Sequence, residues 1–243
     1  MTWADHAKDH AKIAVQAAEN EHLHQCEGTW FVGLDALPND EMGRVRGGAP
    51  LQGEAVEFVK RYYGGWPALH KAQISVLYPG YPKPRTGEND AGFRYRKNRD
   101  AAHVDGIIGL GEPKRRFVQE PHAFIIGVPL TTASETASPL VVWEGSHHIM
   151  RTALQSAFAG LSPEDASALD VTEIYQNARR LVFESCPRVP VHGDVGSAML
   201  VHRLALHGVA PWADDATADP EGRMIAYFRP EIAGGITAWL SDL

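Results

Sequence analysis

GSAMLVHRLALHG, residues 196–208, is a short apolar run bounded by glycines, with a histidine at its end. It is one of five such runs after residue 71. The others are AQISVLY (72–78), HAFIIGVPL (122–130), SPLVVWEG (138–145) and RMIAYFRP (223–230), separated by Gly, Pro and Asp. Runs of this length and spacing, rich in β-branched and aromatic residues, predict strands of an antiparallel sandwich or barrel. Residues 3–26 contain neither Gly nor Pro and many Ala, and predict a helix. Residues 50–63 predict a second, closed by Gly64-Gly65. Between WEGSHH and VPVHGD the pattern becomes helical over 149–158, 163–169 and 171–184, with Ser162 as a cap and Pro163 at the first turn. The expected fold is mainly β with flanking helices: an antiparallel jelly roll over 72–235 with a helical insertion at 149–184. Residues 1–70 form an N-terminal helical part, and 1–243 is one domain.

His103-Val104-Asp105 gives this frame its chemistry. Residues i and i+2 of a strand point to one side, so His103 and Asp105 reach a common point while Val104 packs behind. A His-x-Asp pair followed about a hundred residues later by a lone histidine, here His207, has the form of a facial triad. In that arrangement two imidazoles and one carboxylate hold Fe(II) and leave its opposite face open. In a chain with 12 His, chance supplies about one His-x-Asp, and a second is present at His192-Gly193-Asp194. That pair straddles a glycine just before the apolar run 195–201 and reads as a turn. The first lies in RDAAHVDGIIGLG (99–111), among small residues that leave room for ligands, and is the expected metal site. His202 lies five residues from His207, so in one strand the two face opposite sides. His202 is expected to be an inner hydrogen-bonded histidine. His6, His10, His22 and His24 are read as solvated helix residues, and His122 as structural or mouth-facing.

Net charge is −7, which does not favour nucleic-acid or membrane-surface binding. The two cysteines, Cys26 and Cys186, argue against a disulfide framework and a Cys-rich zinc site. No signal-peptide core and no membrane-spanning apolar run stand out, and a cytoplasmic enzyme is expected.

HKAQIS, AHVDG, SPLVVWEGSHH, GDVGSAMLVHRLALHGVAPW and GRMIAYFRP, in that order, resemble the phytanoyl-CoA dioxygenase family of Fe(II)/2-oxoglutarate oxygenases, and loosely its ectoine hydroxylase branch. The resemblance implies a double-stranded β-helix, a jelly-roll or cupin-like barrel. It implies His103, Asp105 and His207 as iron ligands and Arg223 as the partner of the far carboxylate of 2-oxoglutarate. It also implies Fe(II), 2-oxoglutarate and O2 as cofactor and cosubstrates. Two departures are visible. The usual Pro-Gly-Ser-His turn is Glu144-Gly145-Ser146-His147 here. The inserted ADDATADPE lengthens the gap from His207 to the arginine and leaves Arg229, of the same strand parity, as a rival anchor. A carboxylate at Asp105, where related halogenases carry a small residue, points to hydroxylation, desaturation or ring closure.

Gln73 shares a strand face with Ser75 and Leu77; it either hydrogen-bonds a ligand at the mouth or is an ordinary inner polar residue. Arg94, Arg96, Lys97, Arg99, Lys114, Arg115 and Arg116 flank the metal pair. They are either solvated loop residues or, with Arg96 and Arg99 foremost and Tyr78 as an apolar wall, a clamp for an anionic small molecule. Two other classes remain: a cupin-type metal-dependent isomerase or lyase, and a non-catalytic jelly-roll binding module. The sequence leaves oligomeric state open.

Overall fold

The computed structural model describes residues 2–241. The chain enters through α1 (Trp3–Gln16), where the Thr2 side chain accepts from the Asp5 backbone N–H and Asp5 returns the bond, a capping box. Ala4, Ala7 and Ala11 form its buried stripe. The expected helix over 3–26 stops here because that stripe runs out. Ile13 is 64% exposed, Ala17 is extended, and a 3-10 segment (Ala18–Leu23) follows. Two short strands that the sequence reading missed come next, β1 (His24–Gln25) and β2 (Trp30–Gly33). α2 (Glu54–Tyr63) buries Val56 and Val59 and ends at Gly64 with φ 73°, a left-handed cap that suits glycine.

The remaining elements are β3 (Gln73–Leu77), α3 (Asp90–Asn98), β4 (Ile107–Leu110), β5 (Arg115–Val118), β6 (Phe124–Pro129), β7 (Leu140–Trp143), α4 (Ser146–Phe158), α5 (Pro163–Ala168), α6 (Thr172–Ser185), β8 (Arg188–Val191), β9 (Met199–His202), β10 (His207–Val209), β11 (Arg223–Phe228) and α7 (Gly235–Leu240). The strands make a six-stranded sheet, β1-β2-β3-β11-β6-β9, a three-stranded sheet, β10-β7-β8, and a β4-β5 pair. Every pairing is antiparallel.

Strand alternation divides the large sheet into two faces. Phe31, Ile74, Val76, Phe124, Ile126, Val128, Met224, Ala226 and Phe228 pack against the alanine stripe of α1 and Val59 of α2. The opposite face carries Ile125, Met199, Val201 and Ile225, which meet Leu140, Val142 and Val191 of the three-stranded sheet. The outer face of that smaller sheet, through Val141 and Trp143, is covered by Met150 and Leu154 of α4 and Tyr175, Ala178 and Val182 of α6. The helical insertion is therefore the second wall of the core. Ala102 and Val104 belong to the same cluster, so this wall also backs the metal-pair segment.

His202 and His207 do not share a strand. Ala205 N–H bonds to His202 O in a turn, and the chain crosses from β9 of one sheet to β10 of the other. The opposite-face expectation for this pair thus fails, because the apolar run 196–208 is two strands and not one.

Candidate metal centre

Asp100 and Ala101 both sit at positive φ, 52° and 53°, and swing the chain across β10. Asp100 is 4% exposed and takes a two-pronged ion pair from Arg188 of β8, at 2.7 and 2.8 Å. Its carbonyl accepts from Val209 N–H. A Cβ on Gly208 would lie 2.1 Å from that carbonyl oxygen, so only glycine allows the approach. His103 N–H donates to His207 O at 2.8 Å and His207 N–H to His103 O at 3.0 Å. Residues 104 apart in sequence are thereby locked side by side. Tyr175 of α6 accepts the Val104 N–H at 3.0 Å, holding the peptide between the two His-x-Asp side chains. Gly106 (φ 86°) closes the segment, where a Cβ would strike Glu120 O at 2.2 Å.

Nδ1 of His103 lies 2.9 Å from Ala101 O, and Nδ1 of His207 lies 2.9 Å from Ala205 O. A carbonyl only accepts, so each Nδ1 carries the proton and each Nε2 presents a lone pair. Those lone pairs converge on Asp105 Oδ1, at 3.2 Å from His103 and 3.8 Å from His207. Cis ligands around one ion at ordinary metal–ligand lengths stand about 3 Å apart. The three donors fit one face of a metal ion, and no other group among the described residues brings three such ligand atoms within 4.8 Å of one another. Burial, with the His103 imidazole beside it, pushes the His207 imidazole down to about 4, which keeps it neutral and able to ligate. Burial alone would raise Asp105. The imidazoles and the Arg229 guanidinium packed around it outweigh burial and hold the carboxyl well below its usual range.

The second carboxylate oxygen has a different partner. Asp105 Oδ2 faces Arg229 Nη1 at 3.4 Å, and Arg229 Nη2 donates to Gln73 Oε1 at 2.6 Å. The cavity beside the triad measures about 190 Å³. Gln73, Ser75 and Tyr227 line it from one side, His207, Val209 and Leu140 from the other, and Trp30, Val32 and Tyr81 close its end. The His103 side chain, 47% exposed, marks the opening. Trp30 Nε1 donates to Ser75 Oγ at 3.0 Å, and its ring meets Tyr81 edge-on at 5.7 Å. The sequence reading missed Trp30 and Val32, since it assigned no strand before residue 72.

Arg223 is 7% exposed and lines a separate, smaller cavity with Thr131, His192 and Ile225. Its Nη1 is buried with no hydrogen-bond partner among the described residues. His192 and Asp194 are exposed loop residues outside the triad. His202 accepts from Leu204 N–H through Nδ1 and stacks near His147, ring centres 4.6 Å apart. His6 is not solvated as expected: its Nε2 lies 2.7 Å from Val45 O.

Arg96, Arg99 and Tyr78, the expected substrate residues, do not line the cavity. Arg96 is buried on α3 and pairs with Glu88 at 2.5 Å. Arg99 lies over the Phe183 ring at 4.6 Å, and Tyr78 packs into the core beneath α1 and α2. Arg115 pairs with Asp170, and Arg116 lies over Tyr175. Arg94, Lys97 and Lys114 are exposed. For Arg94, Arg96 and Lys97 the physical reason is α3, a helix where a loop was expected, which turns its basic residues to solvent or to Glu88; Arg115 and Arg116 lie on β5 with partners of their own.

No family model and no curated protein matches this chain, so the resemblance read from the motifs stands on the sequence. Among solved structures, the chain is similar to the non-heme alpha ketoglutarate dependent carbocyclase SnoK from nogalamycin biosynthesis. The TM-score is 0.37 at 17% identity, covering 68% of this chain and 49% of that one. It is also similar to AviO1 from Streptomyces viridochromogenes Tue57, with TM-score 0.38 at 14% identity, covering 94% and 86%. The chain thus spans about half the length of the first. Similarity at these scores carries no argument about activity, which rests on the geometry of the site.

Proposed function

We propose that this chain is an Fe(II)/2-oxoglutarate-dependent oxygenase that hydroxylates a small, uncharged, largely apolar molecule. The carrying observation is the convergence of His103 Nε2, His207 Nε2 and Asp105 Oδ1, with both imidazole protons fixed on backbone carbonyls. This donor set matches the facial triad of non-haem iron oxygenases. The facing six- and three-stranded sheets are read as the halves of a jelly roll within one domain.

Fe(II) with 2-oxoglutarate and oxygen supplies the oxidising power for C–H hydroxylation, releasing succinate and carbon dioxide. The protein's part is positioning and exclusion of water. Arg223 is assigned to the far carboxylate of 2-oxoglutarate: its buried, unpaired Nη1 is a donor that calls for an acceptor. Gln73 braces Arg229 instead of waiting for a ligand. Trp30, Val32, Tyr81, Leu140 and Val209 form apolar walls. Among the described residues, Arg229 is the one Lys or Arg lining this cavity, and it is already committed to Asp105 and Gln73. Nothing on these walls therefore compensates an anionic substrate, and an uncharged one fits best.

The test is anaerobic loading with Fe(II) and 2-oxoglutarate, then exposure to O2 and measurement of succinate release against a panel of matched neutral and carboxylated ring compounds. Stimulation of succinate release by the neutral members is expected. Metal binding without succinate under any condition would favour an isomerase or lyase, and stimulation by the carboxylated members alone would refute the uncharged substrate.

A further inference from the structure

Asp105 presents its two oxygens to different partners. Oδ1 faces both imidazole Nε2 atoms, while Oδ2 faces Arg229 Nη1 at 3.4 Å. Arg229 follows the end of β11, and its other nitrogen is pinned by Gln73 of β3 at 2.6 Å. A guanidinium is a rigid fork, so fixing Nη2 on Gln73 also fixes the direction in which Nη1 points. Its side chain is 25% exposed and Asp105 is 11% exposed, so the pair is only partly screened by water.

We propose that Arg229, braced by Gln73, is a positioning residue that holds Asp105 as a one-oxygen ligand. This inference rests on the metal-site reading above. A carboxylate can bind an ion through one oxygen or both, and the second mode takes an additional coordination position. A divalent ion with three protein donors on one face keeps three positions for exchangeable ligands, and a chelating Asp105 would leave two. The cation at Oδ2 opposes chelation twice: it engages the lone pairs of that oxygen, and it repels a divalent ion drawn toward it. The usual outer partner of a ligand is neutral or anionic, raises ligand basicity and strengthens metal binding. A cationic partner lowers basicity, so its removal has the opposite sign. This assignment also separates the two arginines: Arg229, just past β11, serves the carboxylate ligand, leaving Arg223 at the start of β11 for the cosubstrate.

The experiment uses Mn(II) alone with the full chain, without 2-oxoglutarate or oxygen chemistry. Affinity is measured by titration, exchangeable water by proton relaxation enhancement, and folding by thermal melting. Arg229→Gln should bind Mn(II) about tenfold more tightly, while relaxation enhancement per bound ion falls by about a third as one water is lost. Arg229→Lys, which keeps the charge, should restore most of both. Gln73→Leu should shift both in the Arg229→Gln direction but less, and it provides the test if Arg229→Gln does not fold. Weaker Mn(II) binding or unchanged relaxation in the folded variants would overturn the inference. In a separate titration of the Mn(II)-loaded variants, 2-oxoglutarate binding weakened a hundredfold with Mn(II) binding unchanged would overturn it too, since that marks a cosubstrate anchor. Absence of Mn(II) binding by the wild-type chain would instead overturn the metal-site reading itself.

Discussion

Tyr175→Phe removes one oxygen atom from the interior and should weaken both folding and metal binding. Tyr175 is 1% exposed and Val104 is 2% exposed, and the phenol oxygen accepts the Val104 N–H at 3.0 Å. Phenylalanine fills the same space but accepts nothing, so the N–H is left buried and unpaired. That loss costs about 1–3 kcal/mol. The N–H belongs to Val104, the residue between His103 and Asp105, so the strain falls on the spacing of two ligands. Mn(II) affinity should drop by about tenfold or more. Urea denaturation should show a lower midpoint with an unchanged slope, because the surface exposed on unfolding is the same. Tyr62→Phe, at a ring 54% exposed, serves as the control and should change neither quantity. Stability within about 0.5 kcal/mol of wild type, together with unchanged Mn(II) affinity, would show that the insertion merely covers the metal segment without holding it.

His207→Ala should abolish Fe(II) binding while His192→Ala leaves it intact, as read by metal content after gel filtration; the reverse would move the site to the second His-x-Asp. Arg223→Gln should weaken 2-oxoglutarate by about a hundredfold with little change in metal affinity, measured by titrating the Mn(II)-loaded protein; an equal loss of both would reject its anchoring role. His202 gives a pH prediction. Burial, then the charges of His147, Arg203 and Arg151, push its imidazole down to about 3. The unfolded chain therefore binds a proton here that the folded chain refuses, and stability should fall as pH drops from about 6.5 toward 3. Folded His202→Gln protein should lose that part of the slope in denaturation midpoints against pH; identical slopes would exclude His202 as a source of acid sensitivity.

The five apolar runs marked β3, β6, β7, β9 with β10, and β11 because their periodicity and glycine boundaries are local properties. The insertion was legible for the same reason: helices observed at Ser146–Phe158, Pro163–Ala168 and Thr172–Ser185 follow apolar spacing written in the chain, and the second starts at the Ser162 cap. α3 was not legible, since Asp90–Asn98 carries few apolar residues and buries little beyond Arg96. β1 and β2 were too short to stand out, although β2 supplies Trp30 and Val32 to the cavity.

At the site, the sequence by itself determined the ligand types and the close spacing of His103 and Asp105, which follow from covalent order; the pair lies at an isolated bridge and a turn ahead of β4, not on one face of a strand as expected. Only the tertiary structure brought His207 beside them, through a bridge between residues 103 and 207. Only it separated Arg223 from Arg229, whose equal parity left them equivalent along the strand, by placing one beside His192 and the other against Asp105. It also decided the fate of the basic cluster. Charge can be counted in a sequence, but the direction in which a long cationic side chain points depends on the partner that neutralises it. Here Glu88, Asp170 and the Phe183 ring turn Arg96, Arg115 and Arg99 away from the cavity.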